Sequence, residues 1–188
     1  MTQCDRSLLY RRDAVIPPLV RTLAAHEWPL YRALRLRALG DAPAAFGSTL
    51  AEEAPRLDQD WAWRLNIGAS SGRERPLVAE LGGTAAGLAW AKVDGGDPSL
   101  VNLFQMWVAP EARGHGVAAA LLDAALAWAR AMNARAMQLG VVCGNDAALR
   151  LYERAGFRAV GEPEPQRPGS NRMEQRMQLD LIDTRRAP

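Results

Sequence analysis

The C-terminal part of the chain shows a clear alternation of apolar and polar side chains. Between residues 172 and 181, Met173, Met177, Leu179 and Leu181 stand between polar or charged neighbours. Successive side chains of a strand point to opposite faces, so a period of two produces one apolar and one polar face. This segment is therefore predicted to be a strand with one face on a core.

The middle of the chain contains shorter apolar segments that are separated by turn sequences. They lie at 76–80, 85–93 and 100–108, with Gly82-Gly83 after the first and residues 94–97 after the second. Glycine reaches positive φ without steric cost, and aspartate hydrogen-bonds the backbone of a turn. We predict three strands here, of which the first two form a hairpin.

Other segments repeat their apolar residues at helical spacing. Leu30, Leu34 and Ala38 predict a helix over 29–39. Ser48 is expected to cap a second helix over 49–65, and Gly156 to end a later one. The remaining predicted elements are a strand over 19–23, a helix over 116–132, a strand over 136–143 and a helix over 146–155.

The order of these elements predicts an α+β fold with a mixed, mainly antiparallel β-sheet flanked by helices. The chain has 188 residues and is 48% hydrophobic, which is enough for one core and short for two. We expect an N-terminal extension at 1–18 and a single domain at 19–188.

Charge and cysteine content narrow the class of protein. The 23 Lys and Arg nearly balance the 21 Asp and Glu, so no general attraction to nucleic acid or an acidic membrane is expected. The first twenty residues contain no uninterrupted apolar stretch of the length that a signal peptide needs, so secretion is not expected. No apolar run reaches the roughly 20 residues that a membrane span needs. Cys4 and Cys143 have neither metal-ligand spacing nor the density of a disulfide framework. We expect a cytoplasmic protein that binds no metal, and a homodimer is left open.

A strand, a glycine-containing loop and a long helix follow one another between residues 103 and 122. The loop contains Arg113, Gly114 and Gly116, and Ala118 keeps the first helical turn thin. Unpaired N–H groups and the positive end of the helix dipole meet at such a junction, which favours an anion. The Gly-Lys-Ser/Thr of a P-loop and the third glycine of a dinucleotide motif are missing. Glycines at such a junction also occur without a ligand, but these residues together favour a pyrophosphate site of another type.

The loop resembles the acyl-CoA-binding motif of the GNAT superfamily of N-acetyltransferases. The matching residues are Arg113-Gly114-His115-Gly116-Val117-Ala118, preceded by Val108-Ala109-Pro110-Glu111. Residues 145–157 resemble the later helix of the family and its Gly-Phe exit. Both motifs occur in the family's order, and the resemblance covers about residues 19–181.

The resemblance implies how acetyl-CoA would be held. The backbone of three strand residues would pair with the amides of the pantetheine arm, and the loop would hold the pyrophosphate. The strand residues are Met106, Trp107 and Val108, and the loop residues are Arg113, Gly114, His115, Gly116, Val117 and Ala118.

The resemblance also assigns roles on the later helix. Asn145 and Tyr152 are two helical turns apart, so they share one face, which in the family faces the pantetheine and the thioester sulfur. Tyr152 is the expected catalytic residue, and its hydroxyl would protonate the departing sulfur. A plain N-cap for Asn145 and core packing for Tyr152 remain alternatives.

The implied reaction is direct attack of a primary amine of a small molecule on the thioester. An amine with a pKa of about 10.4 must first lose a proton. Gln105 occupies a strand position where many proteins resembling this chain carry a glutamate, and an amide cannot accept that proton. Glu80, Glu52, Glu53 and ordered water remain open as the base.

Two other functions would use the same cofactor residues. One is a module that binds acyl-CoA without turnover, and the other is an enzyme that acetylates protein N-termini or lysines. The loops at 41–48 and 161–170 are expected to border the acceptor site, but their composition identifies no substrate. A covalent role for Cys143 is disfavoured, because relatives with a cysteine nucleophile are the minority.

Overall fold

The computed structural model describes residues 17–182, in which eight strands form a mixed sheet. The strands are β1 (Leu19–Thr22), β2 (Glu74–Leu81), β3 (Thr84–Val93), β4 (Leu100–Val108), β5 (Ala136–Val142), β6 (Arg158–Ala159), β7 (Glu164–Pro165) and β8 (Met173–Asp180). Their order is β1-β2-β3-β4-β5-β8-β6, and β7 also pairs with β8. All of these pairs are antiparallel except the pair of β4 and β5. The predicted fold class is confirmed, and the predicted extension lies almost wholly outside the described residues.

Helices cover both faces of this sheet. They are α1 (Trp28–Asp41), α2 (Leu50–Glu53), α3 (Asp58–Ser70), α4 (Val117–Ala131) and α5 (Asp146–Arg154). The predicted elements appear in the predicted order, except that two helices replace the single one predicted over 49–65. Gly156, with φ of 96°, follows α5 in the left-handed conformation expected of a C-terminal glycine.

α4 packs against β2, β3 and β4 through an apolar stripe. Its buried residues recur three or four positions apart, which places them on one side of the helix. They are Val117, Leu121, Leu122, Ala125, Leu126 and Ala129. Gly87 of β3 permits the close approach, because a Cβ there would lie 2.9 Å from Leu121 Cδ1.

α1 and α3 cover the opposite face. Trp90 of β3 is three positions beyond Gly87 and therefore points away from α4. Its ring centroid lies 5.2 Å from that of Tyr31, which in turn lies 5.6 Å from that of Trp61. β3 is thus buried on both faces from Ala86 to Ala91, which explains why its sequence is apolar there instead of alternating.

The prediction of one helix over 49–65 is wrong. The segment forms α2 and α3, and Pro55 lies between them, where its missing N–H interrupts the helical ladder. The N-cap of α2 is Thr49, whose Oγ1 accepts from the Glu52 N–H at 3.2 Å. Ser48, the predicted cap, instead accepts from Arg35 Nη2 at 2.9 Å.

A bulge in β4 and the parting of two parallel strands create the main opening in the sheet. Phe104 pairs with Trp90 and Trp107 with Leu88, so β4 holds one extra residue in this interval. Gln105 lies in the bulge with φ of 55°, a conformation that costs a non-glycine residue roughly 1–3 kcal/mol. β4 and β5 pair only as far as Leu103 and Leu139, and beyond that they separate.

Candidate active site

A cavity of about 1130 Å³ opens where β4 and β5 separate. Its walls come from the ends of these strands, the first turn of α4, one face of α5, α3 and the connection between α1 and α2. Individual residues of α1, β2, β3 and β8 also contribute to the wall. The predicted site residues that line it are Met106, Trp107, Val108, Arg113, Ala118, Asn145 and Tyr152. The other predicted residues, Gly114, His115, Gly116 and Val117, lie between Arg113 and Ala118 in the same loop. The fold thus brings both sequence motifs to one cavity.

The loop before α4 presents backbone N–H groups without acceptors. Gly114 and Gly116 have φ of 81° and 79°, which only glycine adopts readily, and a Cβ at either would meet no atom within 4 Å. The N–H groups of Val117, Ala118 and Ala119 have no acceptor among residues 17–182. Open space beside unpaired N–H groups and a helix N-terminus fits a phosphate.

Arg113 has an ion-pair partner that the sequence did not indicate. Its Nη2 contacts the carboxylate of Asp41 at the end of α1, and its Nε donates to Val108 O at 3.2 Å. The same carboxylate accepts from Trp107 Nε1 at 2.8 Å. Arg113 therefore ties the loop to α1 while remaining half exposed, and the exposed His115 places Nδ1 2.9 Å from Arg113 O.

The end of β4 offers one unpaired edge. Met106, Trp107 and Val108 lie beyond Leu103, the last residue of β4 that pairs with β5. On the other edge Trp107 and Val108 pair with β3, while Met106 lies in the bulge. The Trp107 side chain is buried in the core, whereas Met106 and Val108 are half-buried. Backbone groups on a free strand edge seek partners, so this edge fits an extended ligand that carries amides.

Asn145 and Tyr152 share the face of α5 that lines the cavity. Asn145 is the N-cap of this helix, and its Oδ1 accepts from the Ala148 N–H at 3.2 Å. Tyr152 is 5% exposed, and its ring lies 5.9 Å from that of Phe157. Burial raises the pKa of Tyr152 to about 12, and its hydroxyl has no hydrogen-bond partner among the described residues. The N-cap alternative for Asn145 is thus observed, and it leaves the residue in the cavity wall.

Two of the glutamates considered as the base are occupied elsewhere. Glu80 accepts from Arg21 Nε at 2.8 Å where β2 meets β1. Glu52 accepts from the Thr49 N–H at 2.7 Å and completes the cap of α2. Neither side chain lines the cavity.

The third candidate is held by two arginines. Glu53 lies 3.0 Å from Arg35 Nη2 and 3.2 Å from Arg64 Nη1, and it does not line the cavity. Burial alone would raise the pKa of Glu53, but the hydrogen bond and charge of Arg35 outweigh it and lower the pKa. Gln105 does line the cavity, where its Oε1 accepts from Tyr31 Oη at 3.2 Å.

The two loops predicted to border the acceptor site contact each other. The cavity wall includes Phe46 and its neighbours in the loop at 41–48. The loop at 161–170 lies against this one, since Gln166 Nε2 donates to Ala44 O and Arg167 Nη1 to Gly47 O, both at 3.2 Å. The second loop thus supports the first.

Two glutamates in the cavity wall were missed by the sequence analysis. Glu74 accepts from Trp90 Nε1 at 2.8 Å and lies 2.9 Å from Lys92 Nζ. Glu174, near the start of β8, lies against Gly140 of β5. Neither residue belongs to a recognisable motif, and strand pairing alone brings them to the cavity.

Residues 17–182 contain neither a metal-ligand cluster nor a membrane-spanning helix. No group of three or more His, Cys, Asp or Glu side chains there is arranged to hold a metal ion. None of the helices there is both long and apolar enough to cross a membrane.

Comparison with known proteins identifies the family. Residues 35–157 match the model of the Acetyltransferase (GNAT) family, which is more than half of the chain. The chain therefore belongs to this family.

Individual relatives agree with this assignment. Mycothiol acetyltransferase of Thermobispora bispora is 33% identical over 129 residues, which cover 66% of this chain and 41% of that protein. This chain thus spans less than half of the length of that curated relative. A GNAT-family acetyltransferase structure from Streptococcus pneumoniae has a TM-score of 0.74 at 24% identity and covers 88% of this chain and 99% of its own. The structure of yncA from Salmonella typhimurium, which contains acetyl-CoA, has the same TM-score at 20% identity. The match covers 91% of this chain and 97% of that one, and it shows a shared fold.

Proposed function

We propose that this chain is an N-acetyltransferase that moves an acetyl group from acetyl-CoA to the primary amine of a small molecule. The observation that carries this proposal is that a free strand edge and a phosphate-type loop open onto one cavity in a chain of the GNAT family. Each feature suits a different part of acetyl-CoA, and together they suit the whole molecule.

The cosubstrate would bind along the free edge of β4. The backbone of Met106, Trp107 and Val108 would hydrogen-bond the pantetheine amides as a missing strand would. The pyrophosphate would accept hydrogen bonds from N–H groups between Gly114 and Ala118. Arg113 would supply positive charge there, although its guanidinium also forms an ion pair with Asp41.

Tyr152 is suited to protonate the departing sulfur. The residue lines the cavity, and its hydroxyl is not engaged by another side chain among residues 17–182. Its raised pKa of about 12 keeps the hydroxyl protonated throughout the neutral range. A protonated donor beside the leaving group lowers the charge that sulfur carries in the transition state.

The acceptor would enter from the side of the cavity formed by α1, α3 and the loop at 41–48. Phe46, Trp63 and Phe104 line this side, and Trp63 and Phe104 are 67% and 49% exposed. Exposed aromatic rings in a concave wall suit an acceptor with an apolar part beside its amine. The name of the mycothiol acetyltransferase relative also favours a small-molecule acceptor.

Two measurements test the proposed function. Acetyl-CoA should raise the thermal midpoint, since a ligand that binds only the folded state stabilises it. Free thiol should then be released when primary amines, including polyamines, amino acids and amino sugars, are added, with acetyl-CoA alone as the blank. Binding without amine-dependent release would show a non-catalytic acyl-CoA module. Release with lysine peptides alone would contradict the small-molecule acceptor.

A further inference from the structure

Glu174 occupies an unusual position in the sheet. In β8 it is paired with Val142 of β5 on one side and with Glu164 of β7 on the other. Its side chain does not extend away from the sheet but lies across Gly140, where a Cβ would overlap the carboxylate. Glycine at 140 therefore leaves the space that the Glu174 carboxylate fills.

This placement brings the carboxylate to the point where the cavity begins. Gly140 directly follows Leu139, the last residue of β5 that pairs with β4. Beyond this point the strands separate, and Met106 and Tyr152 line the opening together with Gly140 and Glu174. A carboxylate at the apex of the gap is near the place where the thioester and the amine must meet under the proposed function.

The two carboxylates in the cavity wall differ in their environments. Glu74 is engaged by Trp90 and Lys92, as described above. Glu174 is half-buried, and none of the described residues donates a hydrogen bond to it or forms an ion pair with it. Burial raises the pKa of Glu174, and the charge of Arg176 only partly opposes this effect. A half-buried carboxylate without a partner can still accept a proton from a ligand.

We propose that Glu174 is the general base that removes a proton from the acceptor amine. This role rests on the proposed acetyltransferase function, and it supplies the base that Gln105 cannot provide. Gly140 is a positioning residue, because it acts only by leaving room for the carboxylate.

The step balances as follows. The Glu174 carboxylate takes one proton from the acceptor ammonium and later passes it to solvent. The neutral nitrogen attacks the thioester carbon, and the C–S bond breaks as the C–N bond of the amide forms. Tyr152 gives its proton to sulfur and is reprotonated by the second proton that nitrogen loses. Each turnover therefore yields amide, free thiol and one released proton.

Other charged groups face the same space and would influence this base. Near Glu174 they are Arg176 of β8 itself and Glu164 of the adjacent β7, which lie 3.6 Å apart. Across the cavity they are Arg35, Arg64, Glu74, Lys92, Arg113 and Arg154. Most of the cations across the cavity are already paired, Arg35 and Arg64 with Glu53, Lys92 with Glu74 and Arg113 with Asp41. The charge of Arg176 favours the ionised form of Glu174, although less than burial disfavours it.

Three variants test the role through activity. Glu174→Gln keeps the shape of the side chain and should lower kcat on the order of 10²-fold or more, with the acetyl-CoA Kd unchanged by calorimetry. Gly140→Ala keeps the carboxylate but displaces it, and should also lower kcat. In the double variant the two losses should not add, because both remove the same function. Glu153→Gln removes an exposed carboxylate of α5 that does not line the cavity, and should retain wild-type kcat.

A titration tests the site without turnover. The side-chain carboxyl carbon of Glu174, identified by its absence in Glu174→Gln, should titrate above the usual pKa of about 4.3 in the enzyme alone. Gly140→Ala should bring that pKa back towards the usual value, since the displaced carboxylate would be better solvated.

The outcomes separate this role from the proposed function. Wild-type turnover with an equal kcat in Glu174→Gln would overturn the role of Glu174 and leave the acetyltransferase proposal intact. A Glu174 pKa at or below the usual value would contradict the unpartnered, half-buried carboxylate. Absence of wild-type turnover with every amine would overturn the proposed function and the role of Glu174 with it.

Discussion

The substitution Tyr152→Phe separates a chemical role of this residue from a packing role. The Tyr152 ring is buried beside Phe157, and phenylalanine would keep this contact. The substitution removes only the hydroxyl, which has no hydrogen-bond partner among residues 17–182. No interaction in that part of the structure is lost with it, so any large effect on the rate must come from chemistry at the cavity.

The expected effect on the rate is large. Charge develops on sulfur only as the C–S bond breaks, so the hydroxyl should stabilise the transition state more than the bound substrate. Loss of a general acid should lower kcat on the order of 10²-fold, or roughly 3 kcal/mol, with little change in KM for acetyl-CoA. Steady-state assays of thiol release between about pH 6 and about pH 9 measure this effect. Tyr152 stays protonated throughout that range, because its pKa of about 12 lies well above it.

The expected effect on stability depends on pH. At neutral pH the free energy of unfolding should change by less than about 1 kcal/mol, because an unpartnered hydroxyl is removed. The pKa of Tyr152 is raised by burial to about 12, so the hydroxyl ionises more readily in the unfolded chain, near its usual value of about 10. The stability linked to this proton is therefore present below about pH 10 and lost as pH rises towards 12, with a limit of roughly 3 kcal/mol. Tyr152→Phe should lack this loss, while Tyr31, whose pKa burial also raises, contributes equally to both proteins.

Two results would refute this reasoning. Wild-type kcat in Tyr152→Phe across the pH range would show that the residue packs the core and that thiolate departs unaided. A lower thermal midpoint with unchanged turnover would lead to the same conclusion. Urea unfolding at neutral and alkaline pH completes the comparison, because equal alkaline losses in both proteins would contradict the raised pKa.

Three further predictions concern the phosphate loop and the core. Arg113→Ala should lose much of the thermal shift that acetyl-CoA produces, and a full shift would show that the guanidinium serves Asp41 alone. Gly116→Val should weaken CoA binding more than Arg113→Ala, because φ of 79° strains a β-branched residue and its side chain would enter the open space at the loop; equal affinity by calorimetry would contradict a pyrophosphate site there. Glu53→Gln should lower the free energy of unfolding in urea by about 3 kcal/mol, because it leaves the buried Arg35 without its anion; a loss no greater than that of the exposed Glu52→Gln would contradict this.

Local features were predicted well from the sequence, because neighbouring residues decide them. The turn at Gly82-Gly83 joins β2 and β3 as a hairpin, and the period of two at 172–181 corresponds to β8. Each cofactor motif could be recognised because it is a short segment whose residues keep a fixed spacing on one loop or helix, while the fold brings the two motifs to one cavity. The N-cap of α2 was misplaced by one residue, since Ser48 and Thr49 are both suitable caps. In the structure Thr49 caps the helix, and Ser48 accepts a hydrogen bond from Arg35 instead.

The tertiary structure alone decided which charged groups meet. Asp41 and Arg113 are 72 residues apart, and only the packing of α1 beside β4 joins them. Glu174 faces Gly140 because β8, the last long strand, inserts next to β5 in the sheet. No local pattern encodes such pairs. The sequence around Glu53 does not show that its carboxylate meets an arginine, and the sequence around Glu174 does not show that its carboxylate lies against a glycine. The sequence therefore determined the elements and the cofactor motifs, and strand order determined the candidate base.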